Sequence, residues 1–123
     1  IPVRWGQESP YGDYCSNGYS GCVATAIAQI MAYYRFPASI TTTYTDAPHA
    51  GETIALNWTS MISYPYVYQV PALMREIGQR VEMTYHPIDE NDMETGSSAF
   101  SYMAPDCLIS FGYSCARALQ AMR

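Results

Sequence analysis

The stretch GCVATAIAQIM, residues 21–31, begins with a glycine and a thiol and continues with small and apolar residues. This pattern predicts that Cys22 lies in the first turn of a buried helix. The N terminus of a helix presents unpaired backbone N–H groups and a partial positive charge. A thiolate at that position is stabilised, so the sulfur of Cys22 becomes a candidate nucleophile. The alternative is a buried structural cysteine that packs as a small hydrophobic residue.

The helix is predicted over residues 22–35, and Pro37 is expected to end it. Alanines between the larger apolar side chains leave little polar surface, so this helix should be covered on most sides. The apolar residues that recur at helical spacing are Val23, Ile27, Ile30, Met31 and Tyr34.

Composition limits the class of protein. The chain has 123 residues, of which 49% are hydrophobic, and a formal net charge of −5. This suits one domain or one lobe of a larger domain, and it argues against disorder. The negative charge argues against nucleic acid as a partner, and no apolar run approaches the roughly 20 residues of a membrane span. No cofactor or metal is predicted, because the acidic residues at 89–94 lack the glycine and distal glutamate of a calcium loop.

The remaining sequence predicts short elements, most of them helical. Turn-forming residues make 1–21 a loop, and residues 86–96 are expected to form an acidic loop. Gly78 is expected to cap a helix over 71–77, and Ser97 or Ser98 to cap a helix that continues towards Leu108. The other predicted elements are a β-prone stretch at 41–45, a helical turn at 57–62 and a strand at 81–85.

A series of motifs around Cys22 carries a resemblance to a known family. In chain order they are Trp5-Gly6-Gln7, Pro10-Tyr11, GCVATA at 21–26, AQIM at 28–31, Tyr34 and Pro37, and then, more weakly, Asn57-Trp58, LMREIG at 73–78 and Gly96-Ser97-Ser98. Together they resemble the streptopain family of secreted bacterial cysteine peptidases. The resemblance implies an α+β, papain-like cysteine peptidase fold with a helical lobe, a β-sheet lobe and a cleft between them. Residues 1–123 would be the mainly helical N-terminal part, which bears the central Cys22 helix.

The resemblance also implies a cysteine endopeptidase in which Cys22 is the nucleophile and Gln7 is an oxyanion donor. Amide hydrolysis by a thiol needs donors for the tetrahedral oxyanion. The backbone N–H of Cys22 would supply one donor, and the neutral amide of Gln7 would supply the second without perturbing a thiolate–imidazolium pair. The alternative for Gln7 is an ordinary surface-loop glutamine. The residues implied to bind substrate are Gly21, Trp58, Gly96, Ser97 and Ser98, with a helix cap as the alternative for the last segment.

The catalytic histidine of the family lies further downstream and is not matched in this chain. His49 falls in a polar loop and His86 precedes a proline, so both are expected to be loop histidines. We expect a companion C-terminal chain of the same precursor, or a missing segment, to carry the histidine, and the chain alone to be inert. The start at Ile1 and the end at Arg123 are expected to reflect processing of a zymogen into two chains. The resemblance also implies that the protein is secreted, periplasmic or located on the bacterial cell surface. It further implies protein or peptide substrates.

Two further questions stay open on the sequence alone. Four cysteines permit two disulfides, and both a Cys107–Cys115 bridge and four reduced cysteines are possible. A non-catalytic secreted binding domain and a transglutaminase-like acyl transferase are alternatives to the peptidase. The presence of both Gln7 and Cys22 favours the peptidase.

Overall fold

The computed structural model of the chain describes residues 4–86, 96–98 and 101–121, a mixture of helices and short strands. Residues 87–95 of the predicted acidic loop, and residues 99–100 of the helix predicted to follow Ser97 or Ser98, lie outside this part. The elements in chain order are α1 (Cys22–Tyr34), β1 (Ser39–Thr41), β2 (Thr53–Ala55), α2 (Trp58–Ser63), α3 (Gln69–Arg80), β3 (Thr84–His86), β4 (Gly96–Ser98), a 3₁₀ turn (Ser101–Met103), α4 (Ala104–Ser110) and α5 (Cys115–Ala121).

The central element is α1, which confirms the helix predicted from residue 22 onwards. Its alanines allow close packing, and α1 contacts α3, α4 and β4. The helix ends at Tyr34, where Arg35 adopts a left-handed conformation at φ 51°. The side chains of α1 that are buried in the core include Ala24, Ile27, Ala28 and Met31.

The prediction for α3 was right in type and wrong about Gly78. The helix runs from Gln69 to Arg80, so Gly78 lies inside it rather than at its C-terminal cap. A Cβ atom at this position would collide with the hydroxyl of Tyr85, which follows in β3. Gly78 therefore leaves room for the Tyr85 side chain, which any larger residue would force to shift.

The strands form two separate antiparallel pairs, β1 with β2 and β3 with β4. Ile40 lies opposite Ile54 in the first pair, and Tyr85 lies opposite Ser97 in the second. The expectation that Ser97 or Ser98 caps a helix is therefore wrong, because both residues belong to β4. The N-cap of α4 is Met103 instead.

A buried ion pair joins α3 to the loop after β1 and to α4. The Glu76 carboxylate is fully buried and accepts hydrogen bonds from the backbone N–H and the hydroxyl of Thr43, at 2.6 and 2.8 Å. The guanidinium of Arg80 donates to Glu76 at 2.6 Å and to the carbonyl oxygens of Thr41 and Ser110, each at 3.1 Å. The carboxylate is thus compensated both by charge and by hydrogen bonds, as burial requires.

We predict that Glu76→Gln lowers the free energy of unfolding by about 3–5 kcal/mol, because it removes one partner of a buried pair. Urea denaturation followed by circular dichroism measures the change. The matched control is Glu52→Gln: the exposed Glu52 carboxylate lies 3.1 Å from Nδ1 of His49. That substitution should cost less than about 1 kcal/mol. Equal, small losses in the two variants would contradict the role assigned to Glu76.

Candidate active site

Cys22 is the first residue of α1, and its side chain is exposed. The chain enters the helix through Gly21 at φ 89° and ψ 150°, a conformation that residues with a Cβ rarely adopt. The N-cap residue Gly21 has no side chain to cap the helix, so no such cap occupies the backbone N–H groups of the first turn beside the thiol. The alternative of a buried structural cysteine does not fit this position.

Gln7 lies in the loop that precedes α1 and faces the same cavity as Cys22. The carbonyl oxygen of Gln7 accepts a hydrogen bond from the backbone N–H of Ser20 at 2.9 Å. This bond closes the loop and brings its start next to the beginning of the helix. The shared cavity has a volume of about 600 Å³, and we call it the Cys22–Gln7 cavity. Its size lies within the usual range for ligand sites.

Several residues of this cavity were not among the sequence predictions. Thr25, Ala26 and Gln29 line it from α1, three, four and seven positions after Cys22. That spacing places all four on one face of the helix, so the helical period alone could have identified them. Tyr11 and Tyr19 line the cavity from the loop, and burial is the main cause that raises the pKa of Tyr11. The Tyr11 hydroxyl therefore stays protonated and able to donate at neutral pH.

Trp58 lies in the core and not in the Cys22–Gln7 cavity, which corrects the prediction that it binds substrate. Its side chain is buried, and its indole N–H donates to the carbonyl oxygen of Pro37 at 2.8 Å. Trp58 thus fixes the chain after α1 to the start of α2. The Asn57-Trp58 motif alone did not indicate whether Trp58 would line a cleft or pack in the core.

The Gly96–Ser98 segment forms strand β4, which pairs with β3 and contacts α1. The structure therefore brings Cys22, Gly21 and Gln7 together and places β4 against the same helix.

His49 lies away from this cavity. Its ring stacks on Tyr68 with a centroid distance of 4.1 Å, and its Nδ1 atom is 3.1 Å from the Glu52 carboxylate. The residue is half-buried rather than freely exposed as expected for a loop histidine. His86 is the last residue of β3, opposite Gly96.

The four cysteines are free, and they divide into two exposed and two buried thiols. Burial raises the pKa of Cys107 to about 12, and burial also raises the pKa of Cys15. Both thiols are therefore protonated and shielded at neutral pH. Cys115 is exposed on α5, outside the Cys22–Gln7 cavity, so Cys22 is the one described thiol that combines exposure with a cavity. Within residues 4–86, 96–98 and 101–121, no cluster of three metal-ligating side chains is present.

An exposed thiol at the start of a buried helix and a glutamine in the same cavity match the nucleophile and oxyanion donor that thiol-dependent hydrolases and acyl transferases need. The sequence model of the Peptidase C10 family matches residues 5–122. The chain therefore belongs to the Peptidase C10 family, the streptopain family of secreted bacterial cysteine peptidases. The comparison with curated proteins gave no significant match. No helix in the described part of the chain is long and apolar enough to cross a membrane.

We predict that iodoacetamide modifies Cys22 and Cys115 in the folded chain at neutral pH and spares Cys15 and Cys107, because only exposed thiolates react rapidly. Peptide mapping by mass spectrometry locates the labels. Unfolding in urea should make all four cysteines reactive. Rapid labelling of Cys107 under native conditions would contradict the burial described here.

Proposed function

We propose that this chain carries the nucleophile and the oxyanion donors of a cysteine endopeptidase. The observation that carries the proposal is that the Cys22 thiol and the Gln7 amide share one open cavity at the N terminus of α1. A binding domain without catalysis would not require that pair. The amide of Gln7 donates hydrogen bonds and bears no charge, so it stabilises negative charge without competing for the thiolate.

The reaction follows from these groups. The Cys22 thiolate attacks the carbonyl carbon of the scissile peptide bond, and a C–S bond forms as the carbonyl oxygen takes the electron pair. The side-chain N–H of Gln7 and the backbone N–H of Cys22 donate to this oxyanion. When the oxyanion collapses, the C–N bond breaks and an imidazolium gives its proton to the leaving amine. Water, deprotonated by the imidazole, then hydrolyses the thioester and releases Cys22.

The imidazole of this mechanism is proposed to come from outside residues 1–123. His49 is engaged with Tyr68 and Glu52 and does not line the Cys22–Gln7 cavity. The resemblance to the streptopain family supports a histidine downstream of this segment. We propose a companion C-terminal chain of the same precursor, or a further segment of this protein, as its source. The mature enzyme would then be a two-chain product of a secreted zymogen.

The substrate is proposed to be an extended peptide that runs across the start of α1. Gly21 offers backbone groups immediately before the nucleophile. Strand β4, with Gly96, Ser97 and Ser98, contacts α1 and pairs with β3, and an extended peptide adds readily to the edge of such a strand. Pockets at alternate positions along the strand would then bind the side chains of the peptide.

We predict that Gln7→Ala lowers kcat about 100- to 1000-fold, because it removes one oxyanion donor. The measurement uses the complete protein, meaning this chain together with the histidine-bearing chain or segment proposed above. KM should change by less than about threefold, since the amide binds charge that exists only in the transition state. Initial-rate kinetics on a fluorogenic peptide measure both constants. The rate of Cys22 alkylation should stay the same, because the thiolate does not need this amide.

The matched control is Gln79→Ala, which truncates an exposed glutamine on α3 away from the Cys22–Gln7 cavity. It should leave both kinetic constants unchanged. An equal kcat for Gln7→Ala and Gln79→Ala would refute the oxyanion role, while Cys22→Ala must abolish activity for the peptidase proposal to stand.

A further inference from the structure

Two buried hydroxyl groups lie between the Gln7 loop and α1, and the mechanism above gives neither of them a role. Ser20 is fully buried and Thr25 is nearly so, and their Oγ atoms are 2.9 Å apart. A hydroxyl group removed from water costs free energy unless it is hydrogen-bonded. The bond between the two Oγ atoms satisfies both of these buried hydroxyl groups.

Hydrogen bonds of Ser20 and Thr25 connect the helix side of the proposed oxyanion site, at Cys22, with its loop side, at Gln7. On the helix side, Thr25 Oγ1 donates to the carbonyl oxygen of Gly21 at 2.8 Å, directly before Cys22. On the loop side, the backbone N–H of Ser20 donates to the carbonyl oxygen of Gln7 at 2.9 Å. Thr25 Oγ1 also lies 3.3 Å from the carbonyl oxygen of Gly6.

The directions of these bonds follow from the number of protons. A threonine hydroxyl has one proton and two lone pairs. If Ser20 donates to Thr25, the Thr25 proton is free for the Gly21 carbonyl, which is the nearer of its two carbonyl acceptors. Ser20 then bonds Gln7 through its backbone N–H and Thr25 through its hydroxyl, and Thr25 in turn bonds the residue before the nucleophile.

We propose that Thr25 is a positioning residue which, with Ser20, fixes the Gln7 amide relative to the Cys22 thiol. The proposal rests on the roles of Gln7 and Cys22 given under the proposed function. Thr25 acts through Gln7 and transfers no proton to the substrate. Because an oxyanion donor works only within hydrogen-bond reach of the developing charge, a small displacement of the Gln7 loop weakens transition-state binding without weakening ground-state binding.

The first test is Thr25→Val, which keeps the shape of the side chain and removes its hydroxyl. In the complete protein, kcat should fall about 10- to 100-fold, the size of loss expected when a catalytic group is displaced by about 1 Å. KM and the rate of Cys22 alkylation should change by less than about twofold, since the loss is confined to the transition state. Thr25→Ser keeps the hydroxyl and should restore kcat.

A second variant guards against a simple folding defect. Thr25→Val leaves the buried Ser20 hydroxyl without its partner, which is costly, whereas removing both partners of a hydrogen bond is nearly neutral. The double variant Ser20→Ala/Thr25→Val should therefore melt close to the unaltered protein and still show the loss in kcat. Full activity in this folded double variant would overturn the proposal.

The matched control is Thr42→Val, which deletes another buried threonine hydroxyl. Thr42 Oγ1 donates to the carbonyl oxygen of His49 at 2.7 Å, outside the Cys22–Gln7 cavity. Thr42→Val should lower the melting temperature and leave kcat unchanged in the folded protein. A loss of kcat equal to that of Thr25→Val would show that the effect is general destabilisation, and the proposal would fail.

A double-mutant cycle with Gln7→Ala separates this proposal from the proposed function. Once the Gln7 amide is gone, Thr25→Val should lower kcat by less than about twofold further, because coupled residues are not additive. Full additivity would overturn the positioning role of Thr25 while leaving Gln7 as oxyanion donor. If Gln7→Ala itself leaves kcat unchanged, the proposed function fails together with this inference.

Discussion

The hydrogen bond from the Ser20 N–H to the Gln7 carbonyl oxygen is the contact on which the site depends. It folds the N-terminal loop back so that Gln7 returns to the point where α1 begins. The next residue, Gly21, then turns the chain into the helix at a positive φ angle. This closure holds the backbone of Gln7 beside the start of the helix that carries Cys22.

The rest of the structure holds α1 rigid behind that contact. The alanines of α1 let α3 and α4 approach closely, and the apolar side chains of these helices form a buried core there. Glu76 and Arg80 fix α3 to the loop after β1 and to α4 from the other side. Precise placement of a catalytic group requires such support, because side chains on unsupported loops drift by more than catalysis tolerates.

The sequence predicted those elements that depend on interactions between residues close in the chain. The spacing of Ile27, Ile30 and Met31 predicted α1. The position of Cys22 directly after Gly21 predicted a thiol at the start of that helix. Gly78 was misassigned because the reason for a glycine there, the nearby Tyr85 hydroxyl, arises only after β3 folds onto α3. The same holds for Trp58, whose burial against the Pro37 carbonyl depends on tertiary packing. Thr25 and Gln29 lie in the quoted motifs and on the Cys22 face of the helical period, but the motifs alone did not indicate that their side chains line a cavity.

The most direct measurement is a crystal structure of the complete protein with a peptide aldehyde bound. The aldehyde carbon reacts with a catalytic thiol, and its oxygen then stands where the oxyanion of the reaction forms. Our account predicts a covalent bond to Sγ of Cys22, with this oxygen about 2.7–3.1 Å from the side-chain nitrogen of Gln7 and from the backbone nitrogen of Cys22. An unmodified Cys22, or an adduct whose oxygen points away from Gln7, would contradict it.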